Sequence, residues 1–540
     1  MAVRGLGGAR LRRAAHGRPG FVRTRLVTTG PVLLAFALYL CAGAISTWPA
    51  LHHADESFLA EGLPGHGEAA PGDHLQAAYQ LWLPGHQLER GAAPWLDPYS
   101  FRPAAEPRAN FAAWPFGLAF WPLERLFGLV GGWNAFLLLS YPAAGVLTFL
   151  WLGSLGLPRP AALVGGLVFA LAPYRAAQAS AGHLLAPVSM LLPLALWALE
   201  RRLTLVAAAA LASIPLSGQV HLALGAIPFV VVYAALRGRG GLRALLLGAP
   251  AIAAGLLVYM VSIRGSTGAG GRSFAQVERY SAELADFVAR DGRHGIESFV
   301  FLGWLTPLLA AAGLAVLVHA QQRLAVGLGV GALVPVLLAL GGNLPFYEEL
   351  WRNLPGLRET RVPERFLPIA CLCLAGLVAS ALARAPRPAA LAALTLVALD
   401  LRAGVELFRP TAADPSNRAY AARADDVPLL ELPVFLPDRQ EASVYGYYAT
   451  QAPGLRYSGY STVAPTEAAE ALQALEPLTC GDRLAELPRT VLLHRGLYHG
   501  RSRCLDRVLD ALTARGYVET ARDGELTLHR LEQVSPLPRG

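Results

Sequence analysis

Residues 48–103 read WPALHHADESFLAEGLPGHGEAAPGDHLQAAYQLWLPGHQLERGAAPWLDPYSFRP. Nothing on either side resembles this stretch. It holds carboxylates (Asp55, Glu56, Asp73, Asp97), histidines (His52, His53, His66, His74, His86) and several Trp and Tyr residues, in a chain otherwise rich in Leu, Ala, Val and Gly. The loop continues to about Trp133 and lies between long apolar segments. Chemistry is expected here, with the apolar remainder as its scaffold.

Composition identifies the scaffold. Of 540 residues, 54% are hydrophobic and 16% charged, and the mean hydropathy is +0.40. A soluble protein carries about 25% charged residues, so this is the sequence of an integral membrane protein. Runs of about 17–22 apolar residues can cross a bilayer as helices. They fall near 30–48, 133–153, 160–177, 183–199, 203–217, 219–236, 244–263, 298–318, 324–341, 366–383 and 388–404, which predicts a polytopic α-helical bundle of about eleven transmembrane helices. The pair at 203–236 is short and interrupted by Pro215, Ser217 and Gly218. The apolar segment 112–130 carries Glu124 and Arg125 and reads as an interfacial or re-entrant helix of the first loop.

The chain contains no lysine, and its net charge is +8. Arg4, Arg10, Arg12, Arg13, Arg18, Arg23 and Arg25 precede the first apolar run. This cluster reads as a topology signal that keeps residues 1–29 in the cytoplasm. A nucleic-acid site would need a folded basic module or interleaved aromatics, so nucleic acid is not an expected partner. The run from Pro31 to Ile45 reads as a retained first helix, because many apolar segments follow it. Loops carrying Arg159, Arg201, Arg202, Arg237, Arg239, Arg243, Arg323, Arg384 and Arg387 then lie inside. The long loops 49–132, 264–297 and 342–365 lie outside, as does the C-terminal region.

The long apolar runs end near 405. Residues 405–540 have the composition and length of one extracytoplasmic α/β domain. Val427 to Val434 predicts a strand, Thr466 the N-cap of a helix through Leu475, and Thr490 to His494 a second strand. Leu505, Val508, Leu509 and Leu512 have helical spacing, and Asp523-Gly524 marks a hairpin between Tyr517 and Leu531. Cys480 and Cys504 form a disulfide or remain buried thiols. Cys41, Cys371 and Cys373 read as small apolar residues.

Several groups of residues can carry chemistry. Asp73 follows Gly72; on a helix, Asp73, Gln76 and Gln80 share a face, next to His74. A carboxylate there can act as a general base on an acceptor hydroxyl, hold a divalent cation such as Mg or Mn, or simply start a helix. Asp55-Glu56 is either a second acidic pair or a solvated loop. Trp95 and Asp97 sit between Pro94 and Pro98, in a turn whose aromatics can stack on a sugar. Tyr174, Arg175 and His183 lie at a short outside turn. His221 is a polar group in a span, where such a group lines a cavity or has a partner. Arg358, Arg361 and Arg365 stand just outside a span, suited to phosphate or to snorkelling. The sequence has no dinucleotide motif, P-loop, HExxH or CxxC, which argues against ATP-driven work.

The order of these parts resembles the GT-C superfamily of membrane glycosyltransferases, and in finer pattern the YfhO-type and RgtA/B/C/D-like bacterial membrane proteins. The residues that carry the resemblance are Gly72-Asp73 with Trp82, Gly91-Ala92-Ala93-Pro94-Trp95, Ala172-Pro173-Tyr174-Arg175 with Gly182-His183, and Arg361-Val362-Pro363-Glu364-Arg365-Phe366. The resemblance implies transfer of a sugar from a polyprenyl-phosphate donor to a glycan, lipid or protein acceptor, at the outer face of a bacterial plasma membrane. It implies a first-loop carboxylate as base or metal contact, either Asp73 or the pair Asp55-Glu56. It makes Arg361 and Arg365 contacts for the lipid phosphate, and His183 or His221 part of the cavity wall. The competing class is a lipid-linked glycan transporter or an envelope-assembly scaffold.

Overall fold

A segment that crosses lipid must satisfy its backbone hydrogen bonds internally, and each apolar run is helical in the computed structural model. The structure describes residues 29–239, 242–269, 272–291, 296, 299–354, 356–402, 407–413, 416–423, 428–482 and 488–531. The basic N-terminal cluster and Val427 lie outside the described residues.

The helices are Thr29–Ser46, Phe116–Ser154, Arg159–Ala170, Pro173–Ser180, Leu185–Val188, Leu191–Glu200, Thr204–Leu216, Val220–Ala234, Leu242–Val258, Leu305–Ala320, Gln322–Ala339, Leu367–Ala381 and Arg387–Asp400. Among the described residues, 7 helices are long and apolar enough to cross a membrane, and Leu185–Glu200, Thr204–Leu216 and Leu305–Ala320 are shorter apolar helices. The chain is a multi-pass membrane protein. The tally differs from about eleven full-length spans because several runs are cut short. The run at 183–199, for example, is split between Val188 and Leu191. The apolar segment at 112–130 forms a helix from Phe116 that is separated from the following run by a break at Gly128, whose φ 70 and ψ 178 are non-helical and open to glycine.

Small residues let the first helices approach closely. A Cβ on Gly145 would lie 2.3 Å from the Tyr39 ring, and the Tyr39 hydroxyl donates to the carbonyl of Leu163 at 2.9 Å. The first loop is pinned at its start. Buried Asn134 accepts from the Leu59 amide at 2.8 Å and donates to the carbonyls of Ala54 and Ser57 at 2.6 and 2.8 Å. Ser57–Leu59 pairs antiparallel with Pro410–Ala412, beyond the last bundle helix.

The C-terminal region holds a four-stranded sheet in the order Leu430–Leu432, Thr490–His494, Leu526–Leu531, Tyr517–Asp523. The first pair is parallel and the other two are antiparallel. Pro465 occupies the N-cap place, so Thr466 is the first residue of the helix Thr466–Leu475 and not its cap. The hairpin turns at Gly524-Glu525, one residue later than the expected pair. Cys480 and Cys504 are disulfide-bonded.

This region and the first loop share one core, in which Phe58, Ala69 and Leu75 are clustered with Tyr445 and Leu492. A buried hydrogen-bonded pair ties them together. Glu68 Oε2 meets His494 Nδ1 at 2.6 Å, and Glu68 Oε1 accepts from the Gly496 amide at 2.9 Å. Both side chains are 0% exposed. Removing one partner leaves the other buried without its hydrogen bond, which costs about 1–3 kcal/mol. Glu68→Ala is therefore expected to lower the thermal midpoint and to open residues beyond 407 to limited proteolysis.

Candidate active site

The helix Asp73–Glu89 starts with an acid, which its N-terminal dipole favours. Asp73, Gln76 and Gln80 face one cavity of about 370 Å³, as their spacing predicts. The turn carrying His183 comes to the start of this helix only because residue 182 is glycine. Gly182 has φ +79, and a Cβ there would lie 2.2 Å from the backbone nitrogen of His74.

His183 Nε2 donates to Asp73 Oδ2 at 2.8 Å, and Gln178 Oε1 faces His183 Nδ1 at 2.8 Å. The Tyr460 hydroxyl donates to Asp73 Oδ1. Burial pushes the Asp73 carboxyl up. The hydrogen bond and charge of His183, the hydrogen bond from Tyr460 and the charge of Arg365 outweigh it and hold Asp73 well below the usual carboxylate range. Asp73 is thus an ionised carboxylate with both oxygens engaged.

Other walls of the cavity are cationic: Arg272, Arg361 and Arg365 line it together with His221, Gln219 and Glu359. Burial lowers the Arg272 guanidinium from its usual value. The neighbouring charge of Arg361 adds to this, Glu359 opposes it, and Arg365 contributes further. Guanidiniums that repel one another around an open cavity make a site for an anion.

The fold has counterparts among solved structures. The mycobacterial arabinofuranosyltransferase AftD is 16% identical with a TM-score of 0.56, covering 94% of this chain and 42% of that one. A second AftD structure matches at 0.51, 16% identical, over 92% and 41%. The chain shares its fold with these two structures. The archaeal oligosaccharyltransferase AglB of Archaeoglobus fulgidus, 12% identical, covers 94% of this chain and 75% of its own, but its TM-score of 0.42 is too loose to inform the fold. No protein family and no curated protein matches the chain by sequence. The chain spans less than half the length of the AftD chain.

Within this fold the candidate residues separate. Asp73, Asp97, His183, His221, Arg361 and Arg365 line the cavity. Asp97 is occupied locally: its oxygens accept from the Tyr79 hydroxyl at 3.0 Å, the Tyr99 amide at 2.9 Å and the Ser100 hydroxyl at 2.8 Å. Asp55 and Glu56 are exposed and off the cavity. His74 is fully buried against the Phe58 ring; burial, partly offset by the Asp73 charge, brings it down to about 4. Trp95 lines a separate apolar groove with Phe111 and Trp114. Tyr174 and Arg175 are buried. Arg175 donates to the carbonyls of Phe169, Ala170 and Ala186 at 3.1, 2.9 and 3.1 Å, closing the C-terminus of the helix Arg159–Ala170.

Sequence reasoning missed Arg272, Tyr460 and Gln178. Gln178, five residues before His183 in an Ala- and Ser-rich helix, carried a usable local signal; Tyr460 carried none. Both oxygens of Asp73, the residue named above as a metal contact, are hydrogen-bonded to protein side chains, His183 and Tyr460. Among the described residues no three His, Cys, Asp or Glu side chains gather as ligands, and Mg or Mn takes several oxygen ligands.

Proposed function

We propose that the chain is a glycosyltransferase that moves a sugar from a polyprenyl-phosphate-linked donor to a glycan, lipid or protein acceptor on the outer face of a bacterial plasma membrane. One observation carries this reading: the carboxylate of Asp73 shares a cavity of about 370 Å³ with Arg272, Arg361 and Arg365. The acceptor hydroxyl must lose a proton while the phosphate leaving group gains charge, and the cavity provides for both. The acceptor oxygen bonds to the anomeric carbon and its proton passes to Asp73. The bond from that carbon to the phosphate oxygen breaks, the electron pair stays on the phosphate, and the guanidiniums hold the charge. The GT-C fold supports the reading.

The test is transfer of radiolabelled sugar by purified protein, from a panel of polyprenyl-phosphate donors to envelope material. Transfer that depends on Asp73 is expected. No transfer from any donor, by protein shown to be folded, would favour the transporter or scaffold class instead. Because arginines carry the leaving-group charge, the rate should be unchanged in EDTA. A tenfold loss restored by Mn would move that role to a metal.

Gly182→Ala is expected to lower transfer by about 10²-fold, the scale of a misplaced catalytic group. The added Cβ cannot coexist with the His74 backbone, so the turn must retreat and take His183 from Asp73. The kcat of transfer by folded variant protein checks this.

A further inference from the structure

The helix Asp73–Glu89 carries more of the site than its first residue. Gln80 and Pro84 follow Asp73 on one stripe of the helix, about 10 and 16 Å along its axis at the rise of an α-helix. Asp73 and Gln80 line the cavity, and Pro84 lines the apolar groove of Trp95. Asn110 and Phe111 line both, so the groove adjoins the cavity.

The chemistry changes along this stripe. Its start is cationic: the Arg365 charge acts on Asp73, and Arg272 feels both Arg361 and Arg365. Other charges on the cavity wall are taken up by one another. Glu106 meets Arg102 at 3.3 Å, and Arg108 meets Glu467 at 3.4 Å. The Ser100 hydroxyl donates to Asp97 at 2.8 Å and accepts from Arg456 at 2.7 Å. Gln80 is half-buried, and among the described residues its amide has no hydrogen-bond partner, so it offers a ligand both donor and acceptor.

The far end is an aromatic platform. Trp95 is 40% exposed, and its ring centroid lies 5.9 Å from that of Phe111. The platform is fixed: the Asn110 amide donates to the Trp95 carbonyl at 2.6 Å, and Leu96–Asp97 pairs with Arg108–Ala109. The groove beside it measures only about 30 Å³, about the share of one water in the liquid. A ring can lie across it, whereas a prenyl or acyl chain cannot sink into it. A lipid chain on this path would also cover the Gln80 amide without pairing it. A sugar chain offers hydroxyls to the amide and the apolar face of a ring to the aromatics.

Resting on the glycosyltransferase reading, we propose that the acceptor is a neutral, linear glycan, with its terminal sugar at Asp73, the next at Gln80 and a third stacked on Trp95 and Phe111. The donor phosphate stays at the cationic start, and the acceptor chain runs away from it along the helix.

The experiment uses purified full-length protein and a radiolabelled polyprenyl-phosphate donor. Label transferred to envelope material is first assigned to neutral polysaccharide, anionic polysaccharide, lipid or protein; neutral polysaccharide is expected. Mild acid then releases linear oligosaccharides from that fraction, which are sized and used as acceptors. The kcat/KM should climb up to three sugars and then level. Trp95→Ala should shrink the ratio of kcat/KM for three-sugar over one-sugar acceptors about tenfold, the scale of one aromatic contact, and Trp95→Phe should keep most of it. Gln80→Ala should lower the two-sugar and three-sugar values about fivefold relative to the one-sugar value, the scale of one hydrogen bond. Label in any other fraction, a wild type indifferent to acceptor length, or a Trp95→Ala loss equal at every length would overturn the glycan track and leave the transferase reading standing. A Trp95→Ala effect on donor KM alone would put the prenyl chain on the platform and overturn the track as well. Absence of transfer from any donor would overturn the glycosyltransferase reading and the track with it.

Discussion

Asp73→Asn is expected to lower the kcat of sugar transfer by about 10³-fold, within the range that positioned general bases contribute, with donor KM little changed. The asparagine fills the same space at the start of the helix and can still accept from the Tyr460 hydroxyl. It cannot take a proton from an acceptor. The guanidiniums of Arg272, Arg361 and Arg365 keep their places on the cavity wall, so donor binding should survive. Asp55→Asn and Glu56→Asn, at exposed positions off the cavity, should transfer at the wild-type rate; kcat and KM for the three variants decide between the two first-loop assignments. A pH dependence follows as well. The folded-state pKa of Asp73 is depressed. The stability this carboxylate contributes is therefore present above its ordinary value of about 4 and lost only as pH falls through the lower folded value. The acid limb of the wild-type rate should accordingly lie below the ordinary carboxylate range or belong to another group.

The parts of this site that were legible in the sequence are those whose geometry is local. Asp73, Gln76 and Gln80 share a face because helical spacing puts them there, and Gly182 beside His183 marks a turn. Arg361 and Arg365 stand four apart at the start of a span. Tyr460 meets Asp73 across 387 positions, and no spacing rule reaches that far. Glu68 and His494 are likewise tertiary partners, so the change of composition near 405 announced an α/β region but not that it shares a core with the first loop. Arg175 shows the converse error. An arginine beside a predicted outer turn looks available to a ligand, yet here it closes the carbonyls at the end of a helix, where a cation is favoured. Sequence reports the charge of such a residue and not the direction in which it is used.

The second large effect concerns the leaving group. Arg365→Gln is expected to lower kcat/KM for transfer by about 10²–10³-fold, the loss that follows removal of one preorganised donor from a developing charge. The thermal midpoint should stay near that of the wild type, because the attraction to Asp73 that is lost offsets the repulsion that is relieved. The two readings part because of how the charges are arranged. Arg272 is held below its usual value by burial, by the charge of Arg361 and in part by that of Arg365. The empty protein thus bears a repulsion that a bound phosphate relieves. Removing one guanidinium eases the repulsion in the free protein and weakens the hold on the phosphate in the reaction. An arginine that merely anchored the end of the helix would behave otherwise: its loss would lower the midpoint and leave kcat/KM of the folded fraction intact. Arg365→Lys separates charge from shape. Lysine restores the charge but not the planar fork that matches phosphate oxygens, so kcat/KM should recover in part. Full recovery would mean that charge alone is used, and no recovery that the bidentate geometry carries the whole effect.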